Sequence, residues 1–285
     1  MTAIDLGGRV AIVTGASRGM GREMAEAIIA AGGRCGLMTP EAEELAATVA
    51  EIAARHGENR ALALPYDVAD YDQCERARDE TLDTFGALHM AVNNGALGQL
   101  NVIPKNATDT SIAFWETDPA RWAEVIKVNV TGTYFMCRAV APYLVAQGWG
   151  RIVNVTTSLG TIQRKGNAPY GPSKGAIEAE TLIFAQDLEG TGVTCNSLIP
   201  GGAARTAFVP EHFLETRTLV DPAVMRAPIV WLASELSDGH TGERYVANRW
   251  DEALPPDEAA KGALEAPVYR RPEGAERASR EWSNA

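Results

Sequence analysis

The sequence predicts an α/β fold in which a doubly wound parallel sheet of about seven strands is covered by helices on both faces. Three observations lead there. Short apolar runs alternate regularly with longer amphipathic stretches. The runs are continuously apolar, as strands buried on both faces must be. A glycine-rich turn joins the first run to the first amphipathic stretch, the strand–turn–helix order that opens a βαβ unit.

The strands are expected at 10–13, 35–38, 61–64, 88–93, 151–156, 193–199 and 244–247, and the helices near 19–31, 41–56, 71–85, 119–147, 170–189 and 222–236. Asp118-Pro119 supplies an N-cap followed by proline at the first helical position, a defined start for the fourth helix. No linker or repeat interrupts the alternation, so residues 1–250 are read as one domain and 251–285 as a C-terminal extension. That tail is charged and carries prolines at 255, 256, 267 and 272. It is either a loose surface segment or a clamp onto a neighbouring subunit. Residues 97–117 form a long connection after the fourth strand.

At 285 residues, 46% hydrophobic and 22% charged, the chain has the composition of a globular protein with a substantial core. A formal net charge of −11 and the lack of any Lys/Arg run argue against nucleic acid or an anionic membrane surface as partner. No apolar run approaches the ~18 residues of a membrane span, and no signal segment opens the chain. A soluble cytoplasmic protein is expected. Cys35, Cys74, Cys137 and Cys195 are far apart and read as buried free thiols. The histidines at 56, 89, 212 and 240 do not cluster, so no protein-bound metal is predicted.

The turn "TGASRGMG" places glycines at 15, 19 and 21 before an amphipathic helix. A phosphate can approach backbone N–H groups only where no Cβ intervenes, and the helix N-terminus adds unsatisfied donors and a positive dipole end. Gly15, Ser17, Arg18, Gly19, Met20 and Gly21 are therefore candidate contacts of a dinucleotide, in a Rossmann-type arrangement. The second strand ends at Thr39, where an acid would hold the ribose 2′-hydroxyl of NAD. Arg18 could instead reach a 2′-phosphate with its planar fork. Both favour NADP(H), while Glu41 keeps NAD open and Arg18 could also be merely solvated.

"YGPSK" puts Tyr170 and Lys174 four positions apart, on one face of a helix. An ammonium near a phenol favours the phenolate, so Lys174 is expected to lower the tyrosine pKa and make Tyr170 a proton donor or acceptor near neutral pH.

With these motifs in place, residues 7–248 resemble the short-chain dehydrogenase/reductase family, single-domain branch. The resemblance rests on "TGASRGMG", "DV" at 67–68, "NNGA" at 93–96, Asn129 in "VNVTGTY", "TTS" at 156–158, "YGPSK" and "PGG" at 200–202, in that order. It implies that Tyr170 is the acid/base, that Lys174 bonds the nicotinamide ribose, and that Asn129 holds a water linking the lysine to solvent. Asp67 and Val68 would border the adenine, Asn94 and Gly95 would line the cofactor beside the fourth strand, and Pro200, Gly201 and Thr206 would lie in the loop at the carboxamide. The implied activity is NAD(P)-dependent hydride transfer between nicotinamide and a carbonyl or secondary alcohol of a small molecule, NADP(H) being favoured. The implied assembly is a homodimer or homotetramer through residues near 119–147 and 170–189.

Three departures stand out. The family's substrate-orienting serine falls on Thr157, thirteen residues before the tyrosine, with Ser158 beside it. Either hydroxyl could serve, but adjacent extended residues point opposite ways, so one of them is expected to do so. The sequence "NNGA" moves the flexible position to Gly95. Thr206 comes one residue late after Pro-Gly, which could bring Arg205 nearer the nicotinamide. These departures and the tail suggest an alternative, a catalytically impaired NADP(H)-binding regulator. Ile103, Phe114, Trp115, Ile162, Phe208 and Phe213 are expected to wall an apolar substrate pocket, and Gln163-Arg164-Lys165 to be solvated.

Overall fold

A computed structural model of the chain describes residues 4–103, 111–206, 208–209 and 218–269. The sheet has one strand more than expected. Its order is β3-β2-β1-β4-β5-β6-β7-β8. The left half comprises β1 (Val10–Thr14), β2 (Arg34–Met38) and β3 (Ala61–Leu64), and the right half β4 (Met90–Asn93), β5 (Gly150–Val155), β6 (Val193–Ile199) and β7 (Arg244–Val246). All of these pair in parallel, whereas β8 (Leu264–Glu265) runs antiparallel to β7.

The strands split their side chains between two cores, with a period of two. Ala11 and Val13 join Met24, Ile28, Leu45, Ile52 and Trp231 on one face. Ile12 joins Cys74, Met136, Val140, Leu144 and Cys195 on the other. Ile12 has no exposed surface, and burial of such a side chain contributes on the order of 2 kcal/mol. The first face is covered by α1 (Gly19–Ala30), α2 (Ala42–His56) and α8 (Arg226–Leu232), the second by α3 (Tyr71–Phe85), α5 (Gly132–Gln147) and α7 (Tyr170–Asp187). All four cysteines are free and buried.

Capping residues place the helix starts. Asp70 accepts from Gln73 N at 3.3 Å to open α3. Asp118 accepts from Ala120 N at 2.8 Å and Arg121 N at 2.9 Å to open α4 (Pro119–Ile126), as the Asp-Pro pair predicted. The helix expected over 119–147 is not uniform: between α4 and α5 it widens to a π-helical turn at Lys127–Thr131. Asn129 sits in that turn with no exposed surface.

Part of the 251–285 segment docks on the domain's own sheet. Helix α9 (Pro256–Ala263) buries three alanines, Asp257 accepts from Trp231 Nε1 at 2.8 Å, and β8 follows. The remainder, residues 270–285, lies outside the described residues. Among the described residues no helix is long and apolar enough to cross a membrane.

Candidate active site

Because the strands are parallel, their carboxyl ends share one edge, and the order reverses between β1 and β4. The connections that leave this edge carry every candidate residue. The glycine turn follows β1, Thr39 follows β2, Asp67 and Val68 follow β3, and Asn94 and Gly95 follow β4. Thr157 and Ser158 follow β5, and the 200–206 loop follows β6. The short helix α6 (Leu159–Ile162) leads from β5 towards α7, which begins at Tyr170.

The glycine turn is a cradle that side chains would fill. Gly15 (φ +61°) and Gly19 (φ +56°) take the left-handed conformation, and a Cβ on Gly15 would lie 2.8 Å from Gly95 Cα. A Cβ on Gly21 would clash with the Gly15 carbonyl oxygen. No side chain caps α1, because its N-cap, Arg18, offers no acceptor there. Its first N–H groups therefore remain available to an anion. The donor set fits a dinucleotide pyrophosphate. Asn94, expected beside the cofactor, is half-buried next to the turn. Its amide donates to Thr14 O at 3.0 Å and Gly15 O at 3.1 Å, and so locks the turn to β4. The buried Ser17 has its carbonyl bonded by Thr48 Oγ1 at 2.7 Å. Thr206 closes over Gly19, where an added Cβ would come 3.0 Å from Thr206 Cγ2, and the Pro200-Gly201 corner rests on Asn248.

At the adenosine end, Arg18 Nη1 is paired with Glu44 at 2.7 Å, and the Thr39 hydroxyl donates to the Glu41 carboxylate. Asp67 caps its own turn by accepting from Ala69 N at 2.9 Å. Val68 packs where a Cβ on Gly132 would lie 2.9 Å from its Cγ2.

The hydroxyl ambiguity resolves into two different environments. The Thr157 side chain acts on the Tyr170 phenol, favouring its ionised form. Ser158 instead caps α6, with its Oγ accepting from Thr161 N at 3.3 Å and lying 2.9 Å from Thr161 Oγ1. Lys174 Nζ donates to Val155 O at 2.8 Å and lies 5.9 Å from the Tyr170 ring centroid. Asn129 fastens the inner wall: its amide donates to Leu97 O at 2.9 Å and Ser173 Oγ at 3.0 Å, and its Oδ1 accepts from Leu97 N at 2.7 Å. The Phe208 ring centroid lies 5.9 Å from that of Tyr170.

The electrostatics correct one expectation. The Tyr170 hydroxyl is not pulled towards neutrality by Lys174. Desolvation pushes its pKa up to about 12, opposed by the charge of Arg164 and by the Thr157 side chain. Burial lowers Lys174 to about 8, opposed by the Glu178 carboxylate. Desolvation outweighs pairing because both groups lie between the sheet edge and α7. Arg164 is thus a cation that the site feels. It is held by Asn167, whose Oδ1 accepts from its Nη2 at 2.8 Å and whose Nδ2 donates to Thr161 O at 2.8 Å.

Sequence reading missed Glu178 and Arg244. Glu178 lies one helical turn beyond Lys174, a spacing that could have indicated it. A charged residue opening the apolar strand "RYVA" was the corresponding signal for Arg244. Phe114 and Trp115 stack edge to face at 5.0 Å but are 68% and 73% exposed, so they do not form enclosed walls. Phe213 lies outside the described residues.

A family model described as short chain dehydrogenase matches residues 9–215. The chain belongs to the short-chain dehydrogenase family. Members use NAD(H) or NADP(H), and this chain is accordingly an oxidoreductase of alcohols and ketones. It is 35% identical to a short-chain type dehydrogenase/reductase of Picea abies, over 71% of this chain and 73% of that one. It is 34% identical to a 3-oxoacyl-[acyl-carrier-protein] reductase of Synechocystis, over 70% and 76%. The fluoren-9-ol dehydrogenase of Terrabacter is 28% identical over 94% of this chain and 83% of its own. The crystal structure of a dehydrogenase/reductase from Sinorhizobium meliloti superposes with a TM-score of 0.73 at 28% identity, covering 85% of this chain and 94% of that one. The regulator reading gains no support from these relatives, which are named as dehydrogenases and reductases.

Proposed function

We propose that this short-chain dehydrogenase transfers hydride reversibly between a nicotinamide cofactor, NADP(H) by preference, and the carbonyl or secondary-alcohol carbon of a fairly apolar small molecule. The observation that carries the reading is Lys174 Nζ 5.9 Å from the Tyr170 ring centroid, with Phe208 beside that ring and the Thr157 side chain acting on the same phenol. Bound nicotinamide supplies or accepts the hydride. Tyr170 is the proton donor to the nascent alkoxide and, in the reverse direction, the acceptor from the alcohol. A pKa held up near 12 keeps it protonated at neutral pH, the state that carbonyl reduction requires. Thr157 offers a second hydroxyl to the same oxygen. Lys174, with its pKa near 8, is mostly charged at pH 7 and favours the anionic form of whatever oxygen it faces. Asn129 fixes the Leu97 segment and α7 against each other, which sets the distance between Tyr170 and the β4 edge.

Arg18 and the neutral Thr39 support NADP(H), since a 2′-phosphate would compete with Glu44 for the guanidinium. Glu41, bonded to Thr39, is the specific observation favouring NAD(H). Phe208 beside Tyr170 supports an apolar substrate, the kind named for the fluoren-9-ol relative and for the 3-alpha-(or 20-beta)-hydroxysteroid dehydrogenases of Mycobacterium. Four free buried thiols support a reducing, cytoplasmic setting. Association of copies through α5 and α7 remains part of this reading.

The test is turnover of a ketone and alcohol panel together with fluorescence titration of NADPH and NADH. Tyr170→Phe should lower kcat at least ~100-fold while NADPH affinity barely moves. Equal rates for the two proteins would refute the assignment.

A further inference from the structure

A row of alternating charges runs from the proposed proton-handling residues to the C-terminal strand. Lys174 on α7 is followed one turn later by Glu178, whose carboxylate is paired with Arg244 of β7. Both partners of that pair are almost wholly buried, their side chains 3% and 1% exposed. Glu178 also accepts from Thr156 Oγ1 and, at 3.3 Å, from Ser197 Oγ. Arg244 spends its remaining donors in two directions: Nη2 reaches the Thr157 carbonyl at 2.9 Å, and Nε reaches Glu265 of β8 at 3.0 Å. The other carboxylate oxygen of Glu265 accepts from Arg249 Nη2 at 2.8 Å. Arg244 and Glu265 are also direct register partners in the antiparallel β7–β8 pair.

The geometry points to Arg244 as a positioning residue, held by Glu265 of the C-terminal strand, that fixes the backbone of Thr157 and thereby aims its hydroxyl at Tyr170. The inference rests on the reading of Thr157 proposed above and extends it to residues that touch neither substrate nor cofactor. A guanidinium suits the task because its planar fork serves three acceptors at set angles, which a lysine ammonium on a flexible stem does not. Burial makes the arrangement stiff. An unpaired charge here would be strongly disfavoured, so each member of the row holds the next in place. The strand that supplies Glu265 lies 108 positions beyond Thr157 in the chain, so a segment distant in sequence steadies the residue that reaches Thr157.

Glu265→Gln is the primary variant, because it keeps the shape and an acceptor oxygen at a side chain that is 30% exposed, and so leaves folding intact. Arg244→Lys, which keeps the charge but loses the fork, is the second. Hydrogen exchange of the peptide spanning 156–162 should quicken about tenfold in Glu265→Gln, with no change over β1–β3. On whichever ketone the wild-type protein reduces, kcat should fall roughly tenfold while NADPH affinity is unchanged. In a Thr157→Val background the same substitution should cost little more, because the hydroxyl it positions is already gone.

Wild-type exchange at 156–162, wild-type kcat, or losses that simply add to those of Thr157→Val would each overturn the inference. A wild-type protein that reduces no carbonyl would refute the functional reading instead, and the exchange experiment alone would then decide whether Glu265 restrains the Thr157 segment.

Discussion

Removing the Thr157 hydroxyl should stop most of the chemistry, whereas removing the neighbouring Ser158 hydroxyl should not. Thr157→Val is nearly isosteric and keeps the carbonyl that Arg244 holds, so the change is confined to one donor. That side chain opposes the desolvation that raises the Tyr170 phenol. Its loss should both remove a stabilising contact to the developing oxyanion and leave Tyr170 harder to ionise. Loss of one such donor typically costs ~100- to 1,000-fold in kcat, about 2.7–4 kcal/mol. Ser158→Ala removes instead the α6 N-cap at Thr161. A lost cap costs about 1 kcal/mol of stability and should change kcat less than about tenfold. The assay is steady-state NADPH oxidation with a reducible ketone, alongside thermal melting of both variants. The reasoning is refuted if Ser158→Ala loses the larger share of kcat, or if Thr157→Val retains wild-type turnover while folded.

Arg18→Ala should weaken NADPH about 10-fold or more and leave NADH nearly unchanged in fluorescence titrations, since a charge-assisted contact is worth about 1.5–3 kcal/mol; equal effects on both would remove Arg18 from the 2′-phosphate. The alkaline limb of kcat/KM for carbonyl reduction should fall near pH 8, where Lys174 loses its proton, and a profile flat to pH 10 would contradict that. Gly21→Ala should abolish cofactor binding or folding, because the new methyl meets the backbone carbonyl of Gly15; a variant that melts and binds as wild type would show that the turn can yield. Glu180 is raised to about 7 by burial, and its Oε2 has no hydrogen-bond partner among the described residues. An acid whose folded pKa lies above its ordinary 4.5 contributes fully below that value and loses stability as pH rises to 7. Glu180→Gln should therefore raise the melting temperature at pH 8, by up to about 3 kcal/mol of stability, and leave it unchanged at pH 4. Calorimetry at the two pH values checks this, and no gain at pH 8 would refute it.

Much of this molecule is written in short-range pattern. Continuous apolar runs mark β1 to β7 within a residue or two, because a strand covered on both faces admits few polar side chains. The glycines at 15, 19 and 21 and the Asp118-Pro119 start are equally local, since each answers a backbone requirement within one turn. The four-residue spacing of Tyr170 and Lys174 places them on one helical face whatever surrounds them. What spacing could not supply was the environment. Lys174 stands behind the Tyr170 ring as expected, yet the phenol rises instead of falling, because desolvation depends on what packs around α7 and not on the neighbour one turn away. The difference between Thr157 and Ser158 came from α6, whose first turn claims the serine as its cap. The π-helical turn at Lys127–Thr131 has no sequence period of its own. The contact between Arg244 and Thr157 spans 87 positions, and the strand that pairs with β7 beside it comes from the C-terminal extension, for which the sequence left a loose segment and a clamp both open. Chain order and local conformation follow from steric and hydrogen-bonding rules acting over a few residues. Charge state, hydroxyl direction and the restraint on Thr157 follow from burial, and burial exists only once distant segments have packed together.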